Sequence, residues 1–222
     1  MVGEPERAEG AVFAQALSAL KRRGSNLLVV GAGLDGCHRA ACDRLFGDET
    51  APPRRRVQVR IDGECGVRRP GLLDVELVAA GRPGKRSTLA ENGAPAQQPR
   101  YRVTTTDPDG LRTAVIDEID RIEAEAGGLS PGELRLCFDS LAPLVLDSDA
   151  EYRSRMIEPV ATRVRSVNGM AHFHLPVAAD DDAVAELESA FDAVITVRTR
   201  DGTTEHCWRL VEDDITSGWL PL

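Results

Sequence analysis

Lysine is almost missing from this chain. Of its 27 basic side chains only Lys21 and Lys85 are lysine; every other one is arginine. No apolar run approaches the roughly 20 residues that a bilayer-spanning helix needs. The first ten residues, MVGEPERAEG, are polar and acidic rather than basic and apolar. The expectation is a cytoplasmic protein that neither spans a membrane nor carries a leader. Cysteines stand at 37, 42, 65, 137 and 207, an odd number with no Cys-x-x-Cys pair. That pattern excludes a disulfide framework and fits free thiols in a reducing compartment. Internal repeats and low-complexity tracts are also lacking, which excludes solenoid, collagen-like and coiled-coil architectures.

What is present is a chain of 222 residues with a formal charge of −9 and 42% hydrophobic residues. That is enough apolar material for one core, and a single domain over 1–222 is expected. Acidic excess with scarce lysine is the composition of salt-loving proteins, whose carboxylates hold water and cations in molar salt. The charge is uneven: residues 1–146 carry −1 and residues 147–222 carry −8. General nucleic-acid binding is thereby disfavoured. Arg54, Arg55 and Arg56, with Arg60, Arg68 and Arg69, form the one basic stretch, and a solvated loop before a strand accounts for it.

Periodicity predicts an alternation of strands and helices. A helix through Phe13, Leu17 and Leu20 ends at Gly24. A buried strand follows at 25–30, then a helix over 37–46. Strands are expected at 56–61, 72–78 and 101–106, with 81–100 as an exposed loop or insertion. A helix over 107–126 precedes a strand at 134–139. An amphipathic helix over 149–167, a strand at 170–175 and a helix capped by Asp180, Asp181 and Asp182 come next. Residues 191–199 and 204–211 read as a β-hairpin around Asp201-Gly202, and 212–222 as a C-terminal tail. The expected fold class is α/β, a mostly parallel central sheet with an antiparallel C-terminal hairpin.

Two features carry chemistry. Gly31-Ala32-Gly33-Leu34-Asp35-Gly36-Cys37-His38 follows an apolar strand and opens a helix. The spacing from Gly31 to Gly36 is that of a phosphate-binding loop, whose backbone N–H groups wrap a phosphate. In that pattern a lysine and then a serine or threonine follow the second glycine. Here Cys37 and His38 stand in those places, and Asp35 adds a negative charge. The second feature is an apolar strand ending in Asp139-Ser140, the pattern of a strand whose carboxylate orders magnesium.

Gly24-Ser25-Asn26-Leu27-Leu28-Val29-Val30-Gly31, Leu136-Cys137-Phe138-Asp139-Ser140-Leu141 and Phe191-Asp192-Ala193-Val194-Ile195-Thr196-Val197-Arg198 resemble the RecA/KaiC-type ATPase domain over roughly residues 8–212, in particular its small haloarchaeal relatives. The resemblance implies a three-layer RecA-like fold with nucleotide at the carboxyl ends of the strands. It carries over Gly31, Gly33, Gly36, Cys37, His38, Asp139 and Ser140 as nucleotide-site positions, Asp139 being the candidate magnesium ligand. It also implies a catalytic glutamate, for which Glu64 is the nearest candidate, and assembly into rings.

Because the lysine and hydroxyl are replaced, the expected function is a non-hydrolysing regulatory or signalling module acting through protein contacts or self-association. No cofactor is expected. The alternative is a nucleotide-binding protein or ATPase with a non-standard phosphate loop, taking ATP and magnesium and using Arg39 or Arg44 as its phosphate clamp. Four other places invite a chemical reading. His172 and His174 share one face of a strand and suggest a metal, with His206 or Cys207 as further ligands; two buried histidines explain them as well. Cys37 with His38 makes a poor nucleophile pair, since adjacent helical residues do not face each other. Ser140 lacks a nucleophile elbow. Trp208 and Trp219 read as covers of core edges.

Overall fold

The computed structural model describes residues 4–32, 36–47, 54–62, 73–80, 100–105, 108–145 and 149–222. After helix α1 (Glu4–Arg23), strand β1 (Ser25–Val30) is buried along its whole length. That is the signature of a parallel strand covered on both faces. Its alternate side chains enter two separate clusters: Leu28 and Val30 in one, Leu27 and Val29 in the other.

The chain continues through helix α2 (Gly36–Phe46), β2 (Arg55–Asp62), β3 (Leu73–Ala80), β4 (Arg100–Thr105), α3 (Pro108–Ala126) and β5 (Leu134–Phe138). Then follow α4 (Ala142–Val145), α5 (Ala150–Ser166), β6 (Met170–Leu175), α6 (Asp182–Leu187) and a 3-10 turn (Glu188–Ala190). The last strands are β7 (Ala193–Arg200), β8 (Thr203–Leu210) and β9 (Ile215–Pro221).

These nine strands form one sheet in the order β4-β3-β2-β5-β6-β1-β7-β8-β9. Its centre, β2-β5-β6-β1-β7, is wholly parallel. The expected C-terminal hairpin β7-β8 is antiparallel, and the opposite edge, β2-β3-β4, is antiparallel too.

From β1 the chain crosses in one direction to β2; from β5 to β6 and from β6 to β7 it steps in the other. Right-handed crossovers then put α2 on one face and α5 and α6 on the other. The burial agrees. Leu111, Val115 and Ile119 of α3, Val160 and Val164 of α5 and Leu187 of α6 pack with Leu28, Phe138 and Phe173. Leu20 of α1 and Cys37 and Ala41 of α2 pack with Leu27, Val29, Met170 and Ile195 on the other side. No helix among the described residues is long and apolar enough to cross a membrane.

Two expectations change. Residues 212–222 are not a tail: 215–221 form β9, antiparallel to β8. A short helix, α4, stands after β5 where the sequence pattern predicts none. Of the expected loop at 81–100, residues 81–99 lie outside the described residues, and Arg100 opens β4 rather than closing the loop.

The basic stretch has a structural task. Arg54 donates to the Phe46 carbonyl at 2.9 Å and Arg56 to the Gly47 carbonyl at 2.6 Å. Both meet the negative end of the α2 dipole. Arg55 pairs with Glu133 at 3.1 Å.

Candidate functional site

β1 and β6 are neighbours, yet the helices that follow them lie on opposite faces of the sheet. In open α/β sheets the carboxyl ends of strands at such a switch are where a ligand crevice forms. Gly31 closes β1 there. Its N–H donates to the Val177 carbonyl at 2.9 Å. A Cβ at this position would meet the Val197 carbonyl oxygen at 2.5 Å. Glycine is therefore required at 31 by the close approach of β7. At Gly36 a Cβ would meet nothing within 4 Å, so packing alone does not demand glycine there.

Cys37 is buried against the α1–α2 face of the core. His38 is buried too. One ring nitrogen, Nε2, lies 3.1 Å from the Gly31 carbonyl oxygen, and Nδ1 lies 2.9 Å from Nδ1 of His174. The histidine in the hydroxyl's place thus bridges the end of β1 to β6. Arg39 and Arg44 are exposed along α2. Asp139 stands at the end of β5, half-buried, with the Arg60 guanidinium 3.9 Å away. Ser140 accepts from the Ala142 N–H at 3.2 Å and so starts α4. Gly33 and Glu64 lie outside the described residues.

Directly beneath this turn, on the α2 face, is a cluster that the sequence reveals only in part. On β5 and β6, Cys137 and His172 are register partners, and His174 follows two residues on, on the same face. Helix α2 lays Cys42 over them. The Cys42 and Cys137 sulfurs are 3.3 Å apart, and His172 Nε2 is 3.3 Å from the Cys42 sulfur. One ligating atom from each of Cys42, Cys137, His172 and His174 lies within 4.8 Å of every other. Phe46 packs edge-on against His172, with ring centroids 5.0 Å apart.

The family model "Family of unknown function (DUF7504)" matches residues 24–197. The chain belongs to the DUF7504 family. No curated protein matches it. The DUF7504 segment contains Gly31, His38, Asp139 and all four members of the cluster, and it ends within β7.

His206 and Cys207, the further ligands that the sequence suggests, sit on β8 in this DUF7504 chain. That strand is separated from β6 by β1 and β7, so they take no part in the cluster. The two thiols supply the remaining positions instead.

The electrostatics divide the two cysteines. Hydrogen bonding with Cys137 draws the Cys42 pKa down to about 3, against burial, and His172, 3.3 Å from the same sulfur, adds to the effect. Burial pushes Cys137 well above the usual thiol range. Burial lowers His174 to about 4, with the nearby Cys42 sulfur opposing, so its ring is neutral. A surface groove of about 660 Å³ lies elsewhere, at the carboxyl end of α3. Arg163, in its lining, is already paired with Asp120 at 2.6 Å and with Glu123, and the groove offers no cysteine or histidine.

Proposed function

We propose that this protein is a non-hydrolysing relative of the RecA/KaiC-type ATPase domain that acts through protein contacts. The sheet order supports the relationship. One strand, β6, separates the glycine-turn strand β1 from the acid-ended strand β5, so Gly31 and Asp139 follow the carboxyl ends of parallel strands one strand apart.

The observation that carries the loss of hydrolysis is His38. At the magnesium-hydroxyl position of a phosphate loop it is buried, and both of its ring nitrogens are engaged, with Gly31 and His174. The neighbouring lysine position holds a buried thiol. A hydrogen bond to a charged group contributes about 1.5–3 kcal/mol. Losing the lysine and the metal hydroxyl together removes on the order of 10²–10⁴ in phosphate affinity, at about 1.4 kcal/mol per tenfold. Phosphoryl transfer depends on the same charge neutralisation.

A contact surface is available at the sheet's edge. β9 pairs only with β8 among the described strands, and it exposes Trp219 and Leu220. The outer rim of such a strand offers backbone groups to another chain.

Calorimetry with ATP and GTP, magnesium present, in molar potassium chloride tests the reading. The folded protein is expected to give no binding heat up to millimolar nucleotide. Micromolar binding that Asp139→Ala abolishes would overturn it and favour a nucleotide-binding protein with a non-standard loop.

A further inference from the structure

We propose that Cys42, Cys137, His172 and His174 bind one zinc-class divalent cation as a closed structural site. The donor set is two sulfurs and two imidazoles, the combination that tetrahedral zinc takes in structural centres. With Zn–S of about 2.3 Å and Zn–N of about 2.0 Å, the edges of such a tetrahedron are about 3.3–3.8 Å. Here the Cys42–Cys137 and Cys42–His172 edges are already 3.3 Å, and no edge exceeds 4.8 Å. Closing the cluster around an ion needs shifts of about an ångström or less.

The strongest pointer to a ligand is His174. The residue is only 2% exposed, and its Nε2 has no hydrogen-bond partner. A buried polar atom without a partner costs about 1–3 kcal/mol and demands an explanation. The hydrogen-bond chain supplies one. The Gly31 carbonyl can only accept, so His38 carries its proton on Nε2. In its neutral form His38 then accepts at Nδ1, which makes His174 the donor there. A neutral His174 with its proton on Nδ1 presents a bare lone pair at Nε2. That is the ligating form of imidazole, with its other nitrogen oriented by a hydrogen bond, as metal-bound histidines usually have.

The charges balance as well. Binding releases the Cys137 proton to solvent, and two thiolates and two neutral imidazoles around a dication then leave no net charge, so the ion is compatible with burial. Cys137 and both histidines are buried, and four protein ligands leave no open position. Such a site stabilises a fold rather than activating water. Through His174 and His38 the ion also fixes the Gly31 carbonyl at the end of β1.

The test uses the full chain, reduced and metal-free, in molar potassium chloride, titrated with cobalt(II) as a spectroscopic probe. One cobalt per chain is expected, with the visible absorption of a tetrahedral ion and a thiolate charge-transfer band, both erased by one equivalent of zinc. Zinc should raise the melting temperature. Cys137→Ser should cut the charge-transfer band by about half, while Cys207→Ser should leave it intact. His38→Ala should weaken zinc binding about 10–100-fold, the range for groups that orient ligands. If a ligand variant fails to fold, the wild-type and Cys207→Ser titrations still decide. A folded chain with all five thiols reduced that takes up no cobalt overturns the proposal. So does a Cys42–Cys137 disulfide whose reduction yields no metal uptake, or a band that Cys207→Ser removes.

Discussion

His206 shows how one side chain sets a pH response. It is 4% exposed, packs near Trp208, and its Nε2 has no partner. Burial first, and the charge on Arg44 second, lower its pKa from 6.5. The unfolded chain therefore takes up the proton before the folded one does. Stability from this residue is complete above about pH 6.5 and declines as the pH falls toward the folded value. Denaturant unfolding on either side of that pH should show a steeper acid-side loss for the wild type than for His206→Gln. Parallel pH profiles would contradict the assignment. Gly31 and His38 belong to the same scale. Both sit in a stretch whose glycine spacing matches that of a phosphate-binding loop. In the structure Gly31 makes room for the Val197 carbonyl, and His38 ties a backbone oxygen to a histidine.

Among the elements, Asp192 is the joint that holds three together. Its carboxylate accepts from the Asn26 N–H at the start of β1, at 2.7 Å, and from Arg165 of α5 at 3.1 Å. Arg23 at the end of α1 lies 3.7 Å away. Asp192→Ala leaves a buried N–H unsatisfied and should cost about 1–3 kcal/mol. Asp192→Asn keeps an acceptor and should cost less. Urea unfolding measures both, and equal losses would contradict the role given to the N–H. The elements are also where the sequence is most legible. β1 and β6 are short apolar runs bounded by glycine, and α3 and α5 repeat apolar residues at helical spacing, so local chemistry marks them. β9 is not legible. Ile215-Thr216-Ser217-Gly218-Trp219-Leu220-Pro221 contains both glycine and proline, and only the paired edge of β8 makes it a strand. The cluster is half legible. The alternation of His172 and His174 shows within a single six-residue strand. Cys42 and Cys137 are 95 residues apart, and their meeting depends on α2 crossing the β5–β6 register.

For the whole molecule, two layers of helices enclose a sheet whose central strands point their carboxyl ends the same way. The chemistry under those ends is a cysteine–histidine cluster, and the hydrogen-bond chain from His174 through His38 to Gly31 joins cluster and turn. With only four histidines in the protein, long-range nitrogen–proton NMR correlations resolve every imidazole tautomer. The expected result is His38 protonated on Nε2, and His174 protonated on Nδ1 with a bare Nε2 whose resonance moves on adding zinc and stays still on adding ATP and magnesium. His38 protonated on Nδ1 alone, or a His174 Nε2 that ignores zinc while the histidine signals respond to nucleotide, would contradict it.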